Sequence, residues 1–345
     1  MVAAVILGSA TVLCAQQRVP LDPLHTVGVE SCAECHEEVV ETWERSAHAR
    51  SYEYLAKSEA AAKIAEILGM SPASIMNNAS CVRCHYTQEA FSGVSQTTAG
   101  VSCESCHGSA DQWIDQHNRK SLAPRERADV AMSHGMNHPC SIVLVSQDCY
   151  ECHVIDDEQL VNKAGHPALS EGFEILSWYS GETRHNFLVQ KPGRSVKSNS
   201  DQLQSLPRER QRMLYLTGKL LHLSQSLKAM SIAHDPPVDR DGKFIKLPNG
   251  KYTFAVQHSI QVRKLLDEIR SLQAILGIPE FSKALAIGSG LIFSTGQQRQ
   301  FAEASDRIRS LAREFCDKND GSQFAGIDPI IAKLKPRFSS AVVTN

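Results

Sequence analysis

The sequence predicts a mainly α protein in two unlike parts, on three observations. A Cys- and His-bearing pentapeptide recurs four times in the first part. Leu and Met return at alternating spacings of three and four through the second. A Lys-, Ser-, Asn- and Gln-rich stretch, 191–207, lies between them and reads as a solvated linker. The 345 residues, 42% hydrophobic and 21% charged, suffice for one large domain or two ordinary ones. Thirty-six basic against 38 acidic side chains give a net charge of -2, which removes any general electrostatic case for binding nucleic acid or a membrane surface.

The first element, Val2 to Leu13, is a run of apolar and small residues before the polar Gln16, Gln17 and Arg18. It reads as the hydrophobic core of a signal peptide over residues 1–15, with cleavage near Ala15. A bilayer-spanning helix needs roughly 20 apolar residues, so this run is too short to span. Membrane association is then expected only through a partner or through a lipid on Cys14, for which Leu13 is a poor preceding residue.

Of the 11 cysteines, nine fall between Cys32 and Cys152, and eight of them form the pattern C-x-x-C-H. The four copies are Cys32, Cys35, His36; Cys81, Cys84, His85; Cys103, Cys106, His107; and Cys149, Cys152, His153. This is the attachment pattern of c-type haem. Two thiols three positions apart can add to vinyl groups on one porphyrin edge, and the adjacent His can then ligate the iron. A four-Cys zinc site or a redox dithiol uses C-x-x-C but has no need of the following His, which all four copies carry. Cys140 and Cys316 stand outside any motif and are expected to be buried free thiols. Four covalent haems within residues 32–153 leave roughly 30 residues per macrocycle, too few for an ordinary core. The expected fold of residues 16–190 is therefore a haem-packed multihaem cytochrome c module with few or no strands.

Each iron needs a second axial ligand if it is to carry electrons, or an open face if it is to bind a small molecule. The Met residues show no placement beside the motifs. The candidate distal histidines are His25, His48, His117, His134, His138, His166 and His185.

Several flanking stretches, in order, resemble the cytochrome c-554 family of multihaem electron-transfer proteins. They are the first motif followed by Trp43 and by Ser46, Ala47, His48 and Ala49; the run Gly100 to Gly108 around the third motif; and Asp115 to Lys120 after it. The resemblance covers roughly residues 30–155 with the second and fourth motifs. It implies that His48 and His117 are distal ligands and that a further one follows the fourth motif, where His166 and His185 stand, with His138 and His134 as alternatives. It also implies that the iron above His85 is the one able to keep an open face, unless His166 and His185 both ligate.

In the second part, 208–345, Met213, Leu216, Leu220, Leu223, Leu227 and Met230 mark one face of a long helix over 207–233, ended by Pro236 and Pro237. Phe244–Leu247 and Tyr252–Val256 flank Asn249 and Gly250 and predict a small β-hairpin. Val262, Leu265, Ile269, Leu272 and Leu276 predict a second helix closed by Gly277 to Pro279. Phe301, Ile308, Leu311 and Phe315 mark a third over 297–316. The expected architecture is bundle-like, and its stripes are core. A helix is also expected over 55–75, and Phe173–Tyr179 and Phe187–Val189 are expected as covers over the last haem.

The functional expectation is an exported, periplasmic-type tetrahaem cytochrome that binds four haem c groups and passes single electrons between redox protein partners through mostly bis-His irons. Two other readings stand beside it: an oxidoreductase acting on a small nitrogen compound at the haem of His85, and a subunit of an extracellular cytochrome wire.

Overall fold

A computed structural model describes residues 18–181, 183, 206–294 and 296–337. His185, Cys14, the signal-like segment and Phe187–Val189 lie outside the described residues. The architecture is mainly α. The first part holds α1 (Val29–Glu44), α2 (Ala47–Lys57), α3 (Glu59–Ile67), α4 (Ala79–His85), α5 (Cys103–His107), α6 (Pro124–Ser133), α7 (Ile142–His153), α8 (Glu158–Asn162) and α9 (Ile175–Ser180). The second holds α10 (Arg208–Ile232), α11 (Phe254–Leu276), α12 (Pro279–Ser289), α13 (Gln298–Lys318) and the short α14 (Asp328–Ile331).

The helices of the first part are short because caps and breakers interrupt them. Ser46 accepts from Ala49 N at 3.2 Å to start α2, and Ser58 ends α2 and caps α3. The helix expected over 55–75 is thus broken at Ser58 and again at Pro72, where a 3₁₀ turn begins. Between α4 and α5 the chain forms a two-stranded antiparallel sheet, β1 (Thr87–Phe91) with β2 (Val94–Ala99), turned at Ser92 and Gly93, both with positive φ.

The pair expected around Asn249 and Gly250 differs. The turn forms, with Gly250 N donating to Leu247 O at 2.9 Å, but only the single bridges Lys246–Tyr252 and Val238–Phe244 accompany it. Thr253 accepts from Val256 N and caps α11, so residues 254–256 are helical rather than extended. Gly277, at φ 64, ends α11 as expected. Pro279, read from sequence as a terminator, occupies the first turn of α12, where its missing N–H costs nothing.

The central helix of the second part is α10, buried on most of its surface and packed against α7, α11 and α13. Its stripe residues Leu216, Leu220, Leu223 and Leu227 are fully buried with Leu265, Ile269, Ile308 and Phe315. That core continues into the first part through Val143 and Tyr150 of α7, Val154 and Ile175. Arg212 of α10 closes its far end with a bidentate bond to Asp328, at 2.8 and 2.7 Å. Cys316 is free and lies 3.1 Å from the Thr217 hydroxyl, whereas Cys140, expected free, is disulfide-bonded.

Candidate functional site

All four pentapeptides lie on helices, and the helix explains their reach. Residues i and i+3 share one face, so each Cys pair presents both thiols to the same side. The following His then stands at a helix end or a kink. α4, α5 and α7 each end at their motif histidine, His85, His107 and His153, and α1 kinks at His36, whose φ of -123° and ψ of 34° are non-helical.

Three of these histidines meet a histidine from elsewhere in the chain. The ring centroids of His36 and His117 lie 6.2 Å apart, those of His48 and His153 6.3 Å, and those of His85 and His166 6.3 Å. Other aromatic pairs in the protein range from 4.0 to 6.4 Å, as ordinary ring packing does. The near-identity of the three separations calls for a common cause. Two metal–imidazole bonds of about 2.0–2.1 Å, with the distance from each nitrogen to its ring centre, give roughly 6 to 6.5 Å. The separation of each pair is compatible with one metal held between its rings.

Hydrogen bonds set the tautomer of several rings. His117 Nδ1 bonds the carbonyl of Ile114, His166 Nδ1 donates to Pro167 O at 2.8 Å, and His153 Nδ1 lies 2.8 Å from Ser170 Oγ, which can accept from it. A proton held on Nδ1 leaves the Nε2 lone pair for a metal. His138 is the opposite case. Its Nδ1 accepts from Cys140 N at 3.2 Å, which puts the neutral ring's proton on Nε2. His134, at the exposed end of α6, and His25, paired with Asp111 at 2.7 Å, stand on the surface.

Burial keeps these imidazoles neutral. It pushes His85 down to about 4, with His166 and His48 adding to the effect, and His153 down to about 3, with His48 and His85 adding. His36 is lowered by burial and by His117. A neutral imidazole is the form that ligates metal.

The sites are joined in pairs. The Cys32 and Cys103 thiols lie close enough to interact, as do those of Cys84 and Cys152. Glu104, in the third motif and 1% exposed, accepts from Val27 N at 3.1 Å, Gly28 N at 3.0 Å and Ala110 N at 2.8 Å, fixing the start of α1. Burial raises its carboxyl and these three donors oppose the rise. Arg83, in the second motif, bonds Glu151 O of the fourth at 3.2 Å and pairs with Asp156, which Lys228 of α10 also reaches at 3.0 Å. Ser51 Oγ lies 2.7 Å from the carbonyls of both His48 and His85, and Val101 N donates to His48 O at 3.0 Å. None of these linking residues carries a sequence signal, because each acts through a contact distant in the chain.

Two cavities coincide with the motifs. One of about 900 Å³ is lined by residues of both the first and third motifs with His117 and His138, and one of about 280 Å³ by Cys81, Cys84, His85 and His166. The larger also has Trp113 and Arg127 in its wall, whose buried Nε1 and Nε have no hydrogen-bond partner. Among the described residues no group of three or more His, Cys, Asp or Glu is arranged to hold a metal ion. Paired thiols with two opposed imidazoles suit a macrocycle that fills its own equatorial positions.

His222 stacks on Tyr150 of the fourth motif at 4.6 Å, His234 pairs with Glu158 at 2.7 Å and His258 packs on Phe254 at 4.4 Å. No helix among the described residues is long and apolar enough to cross a membrane.

Residues 31–108, which contain the first three motifs, match the family model described as cytochrome c554 and c-prime. No curated protein and no solved structure matches the chain.

Proposed function

We propose that this protein, whose residues 31–108 match the cytochrome c554 family model, is an exported tetrahaem c-type cytochrome that carries electrons on irons held between two histidines. Haem c, when bound, supplies a one-electron iron couple at each site. The chain's part is to fix and orient. Cys32 with Cys35, Cys81 with Cys84, Cys103 with Cys106 and Cys149 with Cys152 hold the four groups. His36 with His117, His85 with His166 and His153 with His48 would ligate the irons. His107 would supply one ligand for the third site, and His185 is our assignment for its second.

The observation that carries this reading is the common 6.2–6.3 Å separation of the three histidine pairs. It favours a carrier over a catalyst. With His166 opposite His85, the second site keeps no face for a small substrate, and ligation that is the same in both oxidation states lets electrons move with little rearrangement. The cysteine contacts support a spatial order of first, third, fourth and second sites. Cys32 touches Cys103, Cys106 interacts electrostatically with Cys149, and Cys84 touches Cys152. Attachment through eight thiols requires maturation outside the reducing cytoplasm, in keeping with a periplasmic location and redox proteins as partners.

Electron paramagnetic resonance of the oxidised holoprotein tests the reading. Four haems per chain, all low-spin, are expected. A high-spin signal approaching one iron per chain, or fewer than four haems by pyridine haemochrome, overturns it.

A further inference from the structure

Ser170 grips the fourth motif's histidine twice. Its backbone N–H donates to His153 O at 3.1 Å, and its hydroxyl lies 2.8 Å from His153 Nδ1, placed to accept the Nδ1–H when Nε2 serves as a metal ligand. The grip follows from local pairing. Ile155 N donates to Ala168 O at 3.0 Å and Val154 bridges Leu169, so residues 168–170 run antiparallel to 153–155. Three residues on, the Phe173 ring stacks on the His153 ring at 4.0 Å and 13°. Position and plane of this imidazole are therefore both fixed by one short segment.

The acceptor is of an unusual kind for this protein. His117 and His166 give their Nδ1 bonds to main-chain carbonyls, of Ile114 and Pro167, whereas His153 gives its own to a hydroxyl. An amide carbonyl is the stronger acceptor and draws the N–H proton further, making the imidazole a better donor to iron and favouring the ferric state. A neutral hydroxyl does this less.

We propose that Ser170 is the positioning residue of the fourth site and that its hydroxyl sets that iron's potential, by limiting the electron density His153 can give. The proposal rests on the reading of His153 and His48 as an axial pair. A carboxylate in place of the hydroxyl strengthens the bond and stabilises ferric iron, and removal of the acceptor does the reverse. Shifts of opposite sign from two substitutions are not what a merely structural role produces.

The experiment is a potentiometric titration of the holoprotein followed by paramagnetic resonance. His48→Ala first identifies the fourth iron as the low-spin signal that disappears. In Ser170→Asp that same signal is expected to titrate lower, with its oxidised-to-reduced ratio at fixed poise raised about tenfold, equivalent to about 59 mV for a one-electron couple. Ser170→Ala raises its midpoint, and Ser170→Thr, which keeps the hydroxyl, restores the wild-type value. If His48→Ala removes no low-spin signal, the axial pairing fails and takes the proposal with it. If that signal is lost but its midpoint is the same in Ser170→Asp and Ser170→Ala, or moves in the same direction in both, the pairing stands and the role of Ser170 is overturned.

Discussion

Glu104, in the third motif, accepts the backbone N–H of Gly28 at 3.0 Å, one residue before the helix that carries the first motif begins. With Val27 and Ala110 on the same carboxylate, one side chain satisfies three buried donors and fixes two attachment sites against each other. Glu104→Ala strands those donors. The expected loss is about 3 kcal/mol, at roughly 1–3 kcal/mol per unsatisfied buried group with partial relaxation. Glu104→Gln, which keeps one acceptor oxygen, loses less. Denaturant unfolding of the holoproteins gives both values, and equal stability of Glu104→Ala and wild type contradicts the assignment.

His166 is the ring nearest to closing the second site. His166→Ala should convert one iron from low to high spin and open it to cyanide or nitric oxide, with the haem count unchanged. A spectrum identical to wild type before and after adding cyanide removes His166 from the ligand set.

Cys35 is the second thiol of the first motif. In Cys35→Ser that haem is held by one bond or lost, and intact-protein mass spectrometry under denaturing conditions reads the difference. A mass showing four groups, each still doubly attached, would contradict the motif's role.

Gly100 lies where two segments nearly touch. A Cβ there falls 2.3 Å from His48 O and 2.6 Å from Ala49 O, both main-chain atoms that cannot swing aside. Gly100→Ala is expected to cost roughly 1–3 kcal/mol through overpacking and to displace His48, giving a partly high-spin fourth site. Unchanged stability and spin state in this variant count against the close approach.

Asp148 sets a pH dependence. Burial pushes its carboxyl up to about 7, against the opposing pull of Arg18. The folded protein thus keeps a proton that the unfolded chain, near 3.8, releases. Its contribution to stability is complete below about pH 4 and declines as pH rises toward 7, by at most about 1.4 kcal/mol per pH unit. Asp148→Asn should flatten the fall in thermal stability between pH 4 and 7. A wild-type curve that rises over this range relative to the variant reverses the sign and refutes the assignment.

The parts legible in the sequence are those written in local spacing. The four pentapeptides, the stripe of α10 and the Gly277 stop of α11 need only neighbours in the chain to be read. The histidine pairings need the fold. His36 meets His117, His48 meets His153 and His85 meets His166, and no rule of spacing links those partners. β1 and β2 escaped notice because Thr87–Phe91 and Val94–Ala99 are polar on both faces, leaving no apolar alternation. α12 escaped because Pro279 ends one helix in a linear reading and begins another in space.

The helix bearing the fourth motif is also part of the wall of the C-terminal bundle: Val143 and Tyr150 of α7 lie in one apolar core with Leu216, Leu220 and Leu265. Most of the buried side chains of that bundle are apolar, so its folding draws on burial that no porphyrin has to provide. A chain still without haem can thus hold Cys149, Cys152 and His153 on a helix already packed against the bundle, and a chain cut short before α10 would lose that support along with the bundle.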